Sequence, residues 1–127
     1  MKLPGPYTAG TDEIQAVIET PKNSRNKYVY DHETGGFQLK RSLPAGLVFP
    51  FDFGFVPFTL AEDGDPLDIM VLTDAPTFPG CIVKCRIIGV IKVEQEKKGE
   101  NVRNDRIIGV HTQSRLFHSV NSWKKPE

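Results

Sequence analysis

Apolar and polar residues alternate with period two along most of the chain, and the 3.6-residue period of an amphipathic helix is scarcely present. In Ile14 to Glu19, Ala16 and Ile18 alternate with Val17 and Glu19, and Pro21 ends the run because it has no N–H to continue a ladder. Lys27 to Asp31 and Phe37 to Arg41 are two further strands, and His32-Glu33-Thr34-Gly35-Gly36 between them predicts a hairpin. Asp68 to Thr73, Cys81 to Glu94 and Asp105 to His111 complete about six strands. In the longest of these, Val83, Cys85, Ile87, Ile91 and Val93 fall on one face, and Gly89 marks a bulge or bend. Gln95 to Asn104 reads as a charged turn. Ser114 to Glu127 is weakly patterned and reads as a short helix or a disordered tail. Many strands with little helix predict a mainly β fold, either a curled antiparallel sheet or a small closed barrel.

The stretch from residue 44 to 60 carries Phe49, Phe51, Phe53, Phe55 and Phe58, five of the eight phenylalanines. If it is extended, four of the rings share one face, and large aromatics on one face are expected to pack into a core. Asp52 and Gly54 then fall on the opposite face, where they could border a cleft.

Composition narrows the picture. A chain of 127 residues predicts one domain over residues 1–127, with enough length to bury a core. Sixteen Lys and Arg balance sixteen Asp and Glu, so no global field draws the protein to nucleic acid or to a membrane. No apolar run reaches the length of a membrane span, and the first residues lack a signal-peptide core, which makes the cytoplasm the expected compartment. Cys81 and Cys85 lie four residues apart on one strand face. That geometry is poor for a disulfide, and no histidine stands at a familiar zinc spacing, so buried inert thiols are expected.

The candidate chemistry is concentrated in Glu62-Asp63-Gly64-Asp65-Pro66-Leu67-Asp68, four acidic side chains in seven residues at the entrance to an apolar strand. Carboxylates held together repel and raise one another's pKa, a cost that a bound hard cation removes. The same residues also suit an ordinary acidic turn. As an EF-hand the stretch fails, because Asp68 occupies the position that requires Gly and Asp74 the one that requires Glu. Lys27, Arg41 and Arg106 lie at strand ends, where they either meet solvent or bind an anion. If Phe37 and Leu39 face the core, Arg41 on the same face points towards the interior or its rim; otherwise it ends the strand and turns into solvent. Cations held by carboxylates, together with Lys and Arg, suit a phosphate compound. No phosphate-binding Gly loop, nucleophile elbow or Cys/His pair is present, which leaves metal-activated water as the supported nucleophile.

Asp63-Gly64-Asp65-Pro66-Leu67-Asp68 resembles the Asp-Gly-Asp-Pro-x-Asp signature of soluble family I inorganic pyrophosphatases. The likeness runs through Ile18-Glu19-Thr20-Pro21, Asn26-Lys27-Tyr28, Arg41, Phe49-Pro50, Phe53-Gly54-Phe55, Pro79-Gly80, Gly89-Val90 and Asn104 to Val110, most of residues 14 to 112. It implies an OB-like five-stranded barrel, with the family's flanking C-terminal helices largely absent here. It also implies Mg²⁺-dependent hydrolysis of pyrophosphate, with Mn²⁺ as an alternative ion, by a homo-oligomer. By the same resemblance Asp63, Asp68 and Glu19 are metal-binding residues and Asp65 orients or deprotonates the attacking water. Lys27 and Arg41 bind phosphate, and Arg106 stands where the family usually has a lysine.

The sequence departs from the family pattern at definite places. Val29 replaces a glutamate, and Phe49 and Phe53 replace tyrosines. Gln95 and Asn104 fall on two metal-binding aspartates, with Glu94, Glu96 and Asp105 as substitutes after a one-residue shift; Asp105 is taken as the metal candidate. The alternative function is a catalytically impaired relative that binds phosphate compounds or a protein partner.

Overall fold

Nine strands form among the described residues: β1 (Ile14–Thr20), β2 (Asn26–Tyr30), β3 (Phe37–Ser42), β4 (Asp52–Val56), β5 (Leu67–Leu72), β6 (Ile82–Ile91), β7 (Glu94–Lys97), β8 (Glu100–Arg103) and β9 (Arg106–His111). The computed structural model describes residues 2–62 and 64–122, and for Gln95 and Lys97 the backbone alone. Five strands close a barrel in the order β1-β4-β5-β9-β6, with β6 returning to β1; β5 and β9 are parallel and the other pairs antiparallel. The expectation of a small OB-like barrel with little helix holds, since no helix occurs among the described residues. None of the described elements is a helix long and apolar enough to cross a membrane.

Alternation along the strands sends Ile14, Ala16, Ile18, Val56, Ile69, Val71, Val83 and Cys85 into one cluster inside the barrel. Each such side chain contributes roughly 1.5–3 kcal/mol by leaving water. The outer surface is apolar in two places. Val17 and Phe55 are covered by Tyr30 and Phe37 of the β2–β3 hairpin, and Leu72, Ile88, Ile108 and Val110 by Phe51, Phe117 and Val120. Strand β1 is thus buried on both sides, which explains the unbroken Ala16-Val17-Ile18 run at its centre.

Close packing makes one glycine indispensable. A Cβ on Gly54 would lie 2.0 Å from the Val17 carbonyl oxygen and 2.9 Å from Ile18 Cα, so the β1 and β4 backbones would have to separate. Gly54→Ala is expected to cost about 2–4 kcal/mol, read as a lowered midpoint in urea unfolding. An unchanged midpoint would show that this approach is not tight in solution.

Several expectations are corrected. Gln95 to Asn104 is mostly the β7–β8 hairpin rather than a turn; its two central residues, Lys98 and Gly99, both have positive φ, the geometry of a tight hairpin turn. The phenylalanines do not share one face, because β4 begins only at Asp52. Phe55 packs beneath the hairpin and Phe49 meets Phe53 on that side, while Phe51 joins the other outer cluster and Phe58 is 73% exposed. Asp52 is fully buried rather than at a cleft. Its carboxylate accepts hydrogen bonds from the Lys22 N–H (3.0 Å), the Thr77 hydroxyl (2.9 Å) and the Thr73 hydroxyl, tying the β1–β2 and β5–β6 connections to the start of β4.

In β6, Val83 and Cys85 are buried as expected, and the bulge expected at Gly89 falls between Ile87 and Gly89, so Ile88 is buried under the C-terminal segment while Ile87 is exposed. That segment is not helical over residues 114–122. The Asp74 carboxylate accepts from the Ser114 hydroxyl (2.6 Å) and the Arg115 N–H (2.9 Å), while Arg86 donates to the Phe117 and His118 carbonyls, each at 3.0 Å. Residues 123–127 lie outside the described residues. Both cysteines are free; burial pushes the Cys85 thiol up to about 12, which fits an inert thiol, whereas Cys81 is only partly buried rather than buried as expected.

Candidate active site

Two one-residue bulges shape a cleft of about 630 Å³ between the outer barrel wall and the β2–β3 hairpin. In β1, Ile18 faces Gly54 and Thr20 faces Phe53, so Glu19 is an extra residue. The bulge turns Glu19 and Thr20 to the same side, against the hairpin. Glu19 Oε2 accepts from the Tyr30 N–H at 2.8 Å; the Thr20 hydroxyl donates to the Tyr28 carbonyl at 2.9 Å and accepts from the Tyr28 N–H at 3.0 Å. In β3, Tyr28 faces Leu39 and Lys27 faces Arg41, so Lys40 is the extra residue. Lys40 and Arg41 accordingly both line the cleft, although they are neighbours in sequence.

The acidic side of the cleft is built on the barrel. Asp68 on β5 lies opposite Phe55 of β4 and Arg106 of β9 in the ladder, with Ile69 facing the core behind it. Burial, opposed by the Tyr30 N–H and reinforced by the charge of Asp68, pushes the Glu19 carboxyl up to about 7. Asp65 reaches the cleft from the loop before β5, which closes on itself through the Ala61 N–H to the Asp65 carbonyl at 2.7 Å and the Gly64 N–H to the Ala61 carbonyl at 3.0 Å. Gly64, at φ +88°, supplies the left-handed turn that this closure requires.

The basic side comes mainly from the hairpin. Lys27, Lys40 and Arg41 line it, and Arg106 completes it from β9. Burial, and then the charges of Lys40 and Arg41, hold the Lys27 ammonium below its ordinary pKa. Like charges kept together at both sides of one cleft form a receptor for a cation and an anion at once.

Of the residues expected from sequence, Glu19, Lys27, Arg41, Asp65, Asp68 and Arg106 all line this cleft. Asp63 lies outside the described residues. Asp105 is not in the lining: its carboxylate accepts from Arg103 Nη2 at 2.7 Å and from the Val93 N–H at 3.3 Å, and Asn104 lines the cleft instead. Phe49 and Phe53, expected in the core, meet edge to face across 5.5 Å in the cleft wall. Lys40 and His32 were missed as lining residues. Strict alternation turns Lys40 away from Arg41, and no sequence signal marks the bulge that reverses this.

The donor set fits a hard divalent cation, because Glu19 and Asp68 present carboxylate oxygens close enough for one charge to disfavour the other. Among the described residues, no three His, Cys, Asp or Glu side chains converge to hold an ion by themselves.

Comparison with known proteins agrees with the sequence resemblance. The family model described as inorganic pyrophosphatase matches residues 16–126. The chain is 52% identical over 89 residues to the inorganic pyrophosphatase of Streptomyces coelicolor, covering 70% of this chain and 55% of that one. It is 44% identical over 115 residues to that of Thermus thermophilus, covering 90% and 63%. The chain therefore spans less than two thirds of the length of these curated relatives. The crystal structure of the Thermus thermophilus inorganic pyrophosphatase superimposes with a TM-score of 0.81 at 36% identity, covering 94% of this chain and 66% of that chain. An inorganic pyrophosphatase from Helicobacter pylori gives 0.79 at 34% identity, covering 96% and 69%. With the family model matched over residues 16–126 and the barrel in agreement with it, this protein belongs to the inorganic pyrophosphatase family.

Proposed function

We propose that the chain hydrolyses inorganic pyrophosphate to two phosphates, with Mg²⁺ as the working ion and Mn²⁺ as an alternative. The observation that carries this reading is the confrontation of Glu19, Asp65 and Asp68 with Lys27, Arg41 and Arg106 across one cleft. A bound divalent cation would share the charge of the phosphate oxygens and acidify water. Asp63, Asp68 and Glu19 are the residues proposed to hold it, with Asp68 and Glu19 already adjacent in charge. Lys27, Arg41 and Arg106 orient the phosphoryl groups and offset the charge that develops on the leaving phosphate. Asp65 orients the attacking water and takes its proton as the water oxygen bonds to one phosphorus; the bridging oxygen departs with the other phosphate. Assembly with further copies of the chain and action in the cytoplasm belong to the same reading and rest on family membership.

A second reading has its own observation. Val29, Phe49, Phe53 and Asn104 all line the cleft, so an aliphatic residue, two rings without hydroxyls and an amide occupy positions where family members carry carboxylates or tyrosines. Under that reading the protein binds phosphate compounds with little turnover. Phosphate release from pyrophosphate with Mg²⁺, measured beside an Asp65→Asn control, decides between them. Release well above the control supports the hydrolase; no release above it, with pyrophosphate binding retained in calorimetry, supports the binder.

A further inference from the structure

The β3 bulge gives the cleft a fourth cation beside Lys27, Arg41 and Arg106. Lys40 is exposed on the protein surface, yet its position beside Arg41 brings it to the same cleft as Lys27 and Arg106. Lys27, Lys40, Arg41 and Arg106 thus face one cleft. Keeping them together is unfavourable in the empty cleft: Lys40 is the foremost charge depressing the Lys27 ammonium. A polyanion relieves that repulsion when it binds.

Size leads in the same direction. A cleft of about 630 Å³ falls in the range, roughly 300–1,000 Å³, that accommodates ligands much larger than two phosphate tetrahedra. Lengthening a phosphoanhydride chain by one phosphoryl group adds volume and negative charge together, and Lys40 is placed to meet both.

We propose that Lys40 is a specificity-determining residue that contacts the outer phosphoryl group of a linear phosphoanhydride longer than pyrophosphate, with inorganic tripolyphosphate as the simplest such ligand. The proposal rests on the cleft being the phosphoanhydride site, and a binding experiment separates the two. With metal-free full-length chain, calorimetric titration with pyrophosphate and with tripolyphosphate is compared for the wild type, Lys40→Met and Lys40→Arg. Tripolyphosphate should bind the wild type more tightly than pyrophosphate. Lys40→Met should weaken tripolyphosphate roughly tenfold, the loss of one charge-assisted hydrogen bond at a solvated site, and pyrophosphate by less than about threefold. Lys40→Arg should restore most of the preference. Thermal midpoints within a degree or two of one another would confirm that the exposed substitutions leave the fold intact. Equal weakening of both anions, or of neither, overturns the role of Lys40 while leaving the pyrophosphate reading standing. Failure of the wild type to bind either anion without metal overturns the role of Lys40, whereas the pyrophosphate reading falls only if phosphate release with Mg²⁺ is also absent.

Discussion

Asp68→Asn should lower phosphate release from pyrophosphate by roughly 100-fold or more while leaving the barrel folded. The substitution preserves shape, and Asp68 sits on β5 between Phe55 and Arg106, where the backbone ladder and Ile69 behind it set its position. What is lost is charge, and an amide oxygen is a poorer ligand for a hard cation than a carboxylate. A second readout needs no turnover. Because Asp68 is one of the causes that raise Glu19, its neutralisation should let the Glu19 carboxyl titrate below about 7, as followed by carboxyl-carbon NMR on metal-free protein. A variant with undiminished turnover, or one in which Glu19 titrates as before, would remove Asp68 from the proposed acidic pair.

Glu19→Gln should separate stability from function. In the metal-free protein Glu19 titrates at about 7 against an ordinary 4.5, so the folded state holds its proton more tightly than the unfolded state does. The ionised carboxylate is therefore a cost to the fold, full above pH 7 and removed as pH falls from about 7 towards 4.5. That interval corresponds to about 3 kcal/mol at most, and less in practice because Glu19 keeps some contact with water. Gln keeps an oxygen to accept the Tyr30 N–H and carries no charge. With a chelator present at about pH 8, Glu19→Gln should unfold at higher urea than the wild type, and the gain should vanish below about pH 4.5. Phosphate release should fall, since a proposed cation ligand is gone. Added Mg²⁺ should stabilise the wild type more than the variant. A variant less stable than the wild type at pH 8 would contradict the cost assigned to this carboxylate.

Much of the site was legible in order along the chain. Glu19, Lys27, Arg41, Asp65, Asp68 and Arg106 were named from strand ends and from the resemblance, and one cleft collects them. Asp105 was not legible, because its carboxylate and Asn104 differ by one step at the point where β8 gives way to β9, and chain geometry alone chooses which residue turns inward. Nor was the fate of the phenylalanines. Alternation assumes an unbroken strand, and β4 begins too late to carry Phe51 in phase with Phe53 and Phe55. The β7–β8 hairpin escaped notice because its strands are short and charge masks strand propensity where Glu94, Glu96, Glu100 and Arg103 are exposed.

The sequence by itself determined the β class, the central strands and the pairing of acidic with basic chemistry. These are local matters: strand alternation, turn residues and ligand hardness are properties of side chains and near neighbours. Tertiary structure decided which faces met. It closed five of nine strands into a barrel, laid the hairpin over its outer wall and used one extra residue in β1 and one in β3 to aim Glu19 and Lys40 into the cleft. A bulge exists only relative to a partner strand, since it is a mismatch in the count between two ladders. The raised Glu19 and depressed Lys27 have the same origin, for burial and crowding are produced by segments that are distant in sequence and adjacent in the fold.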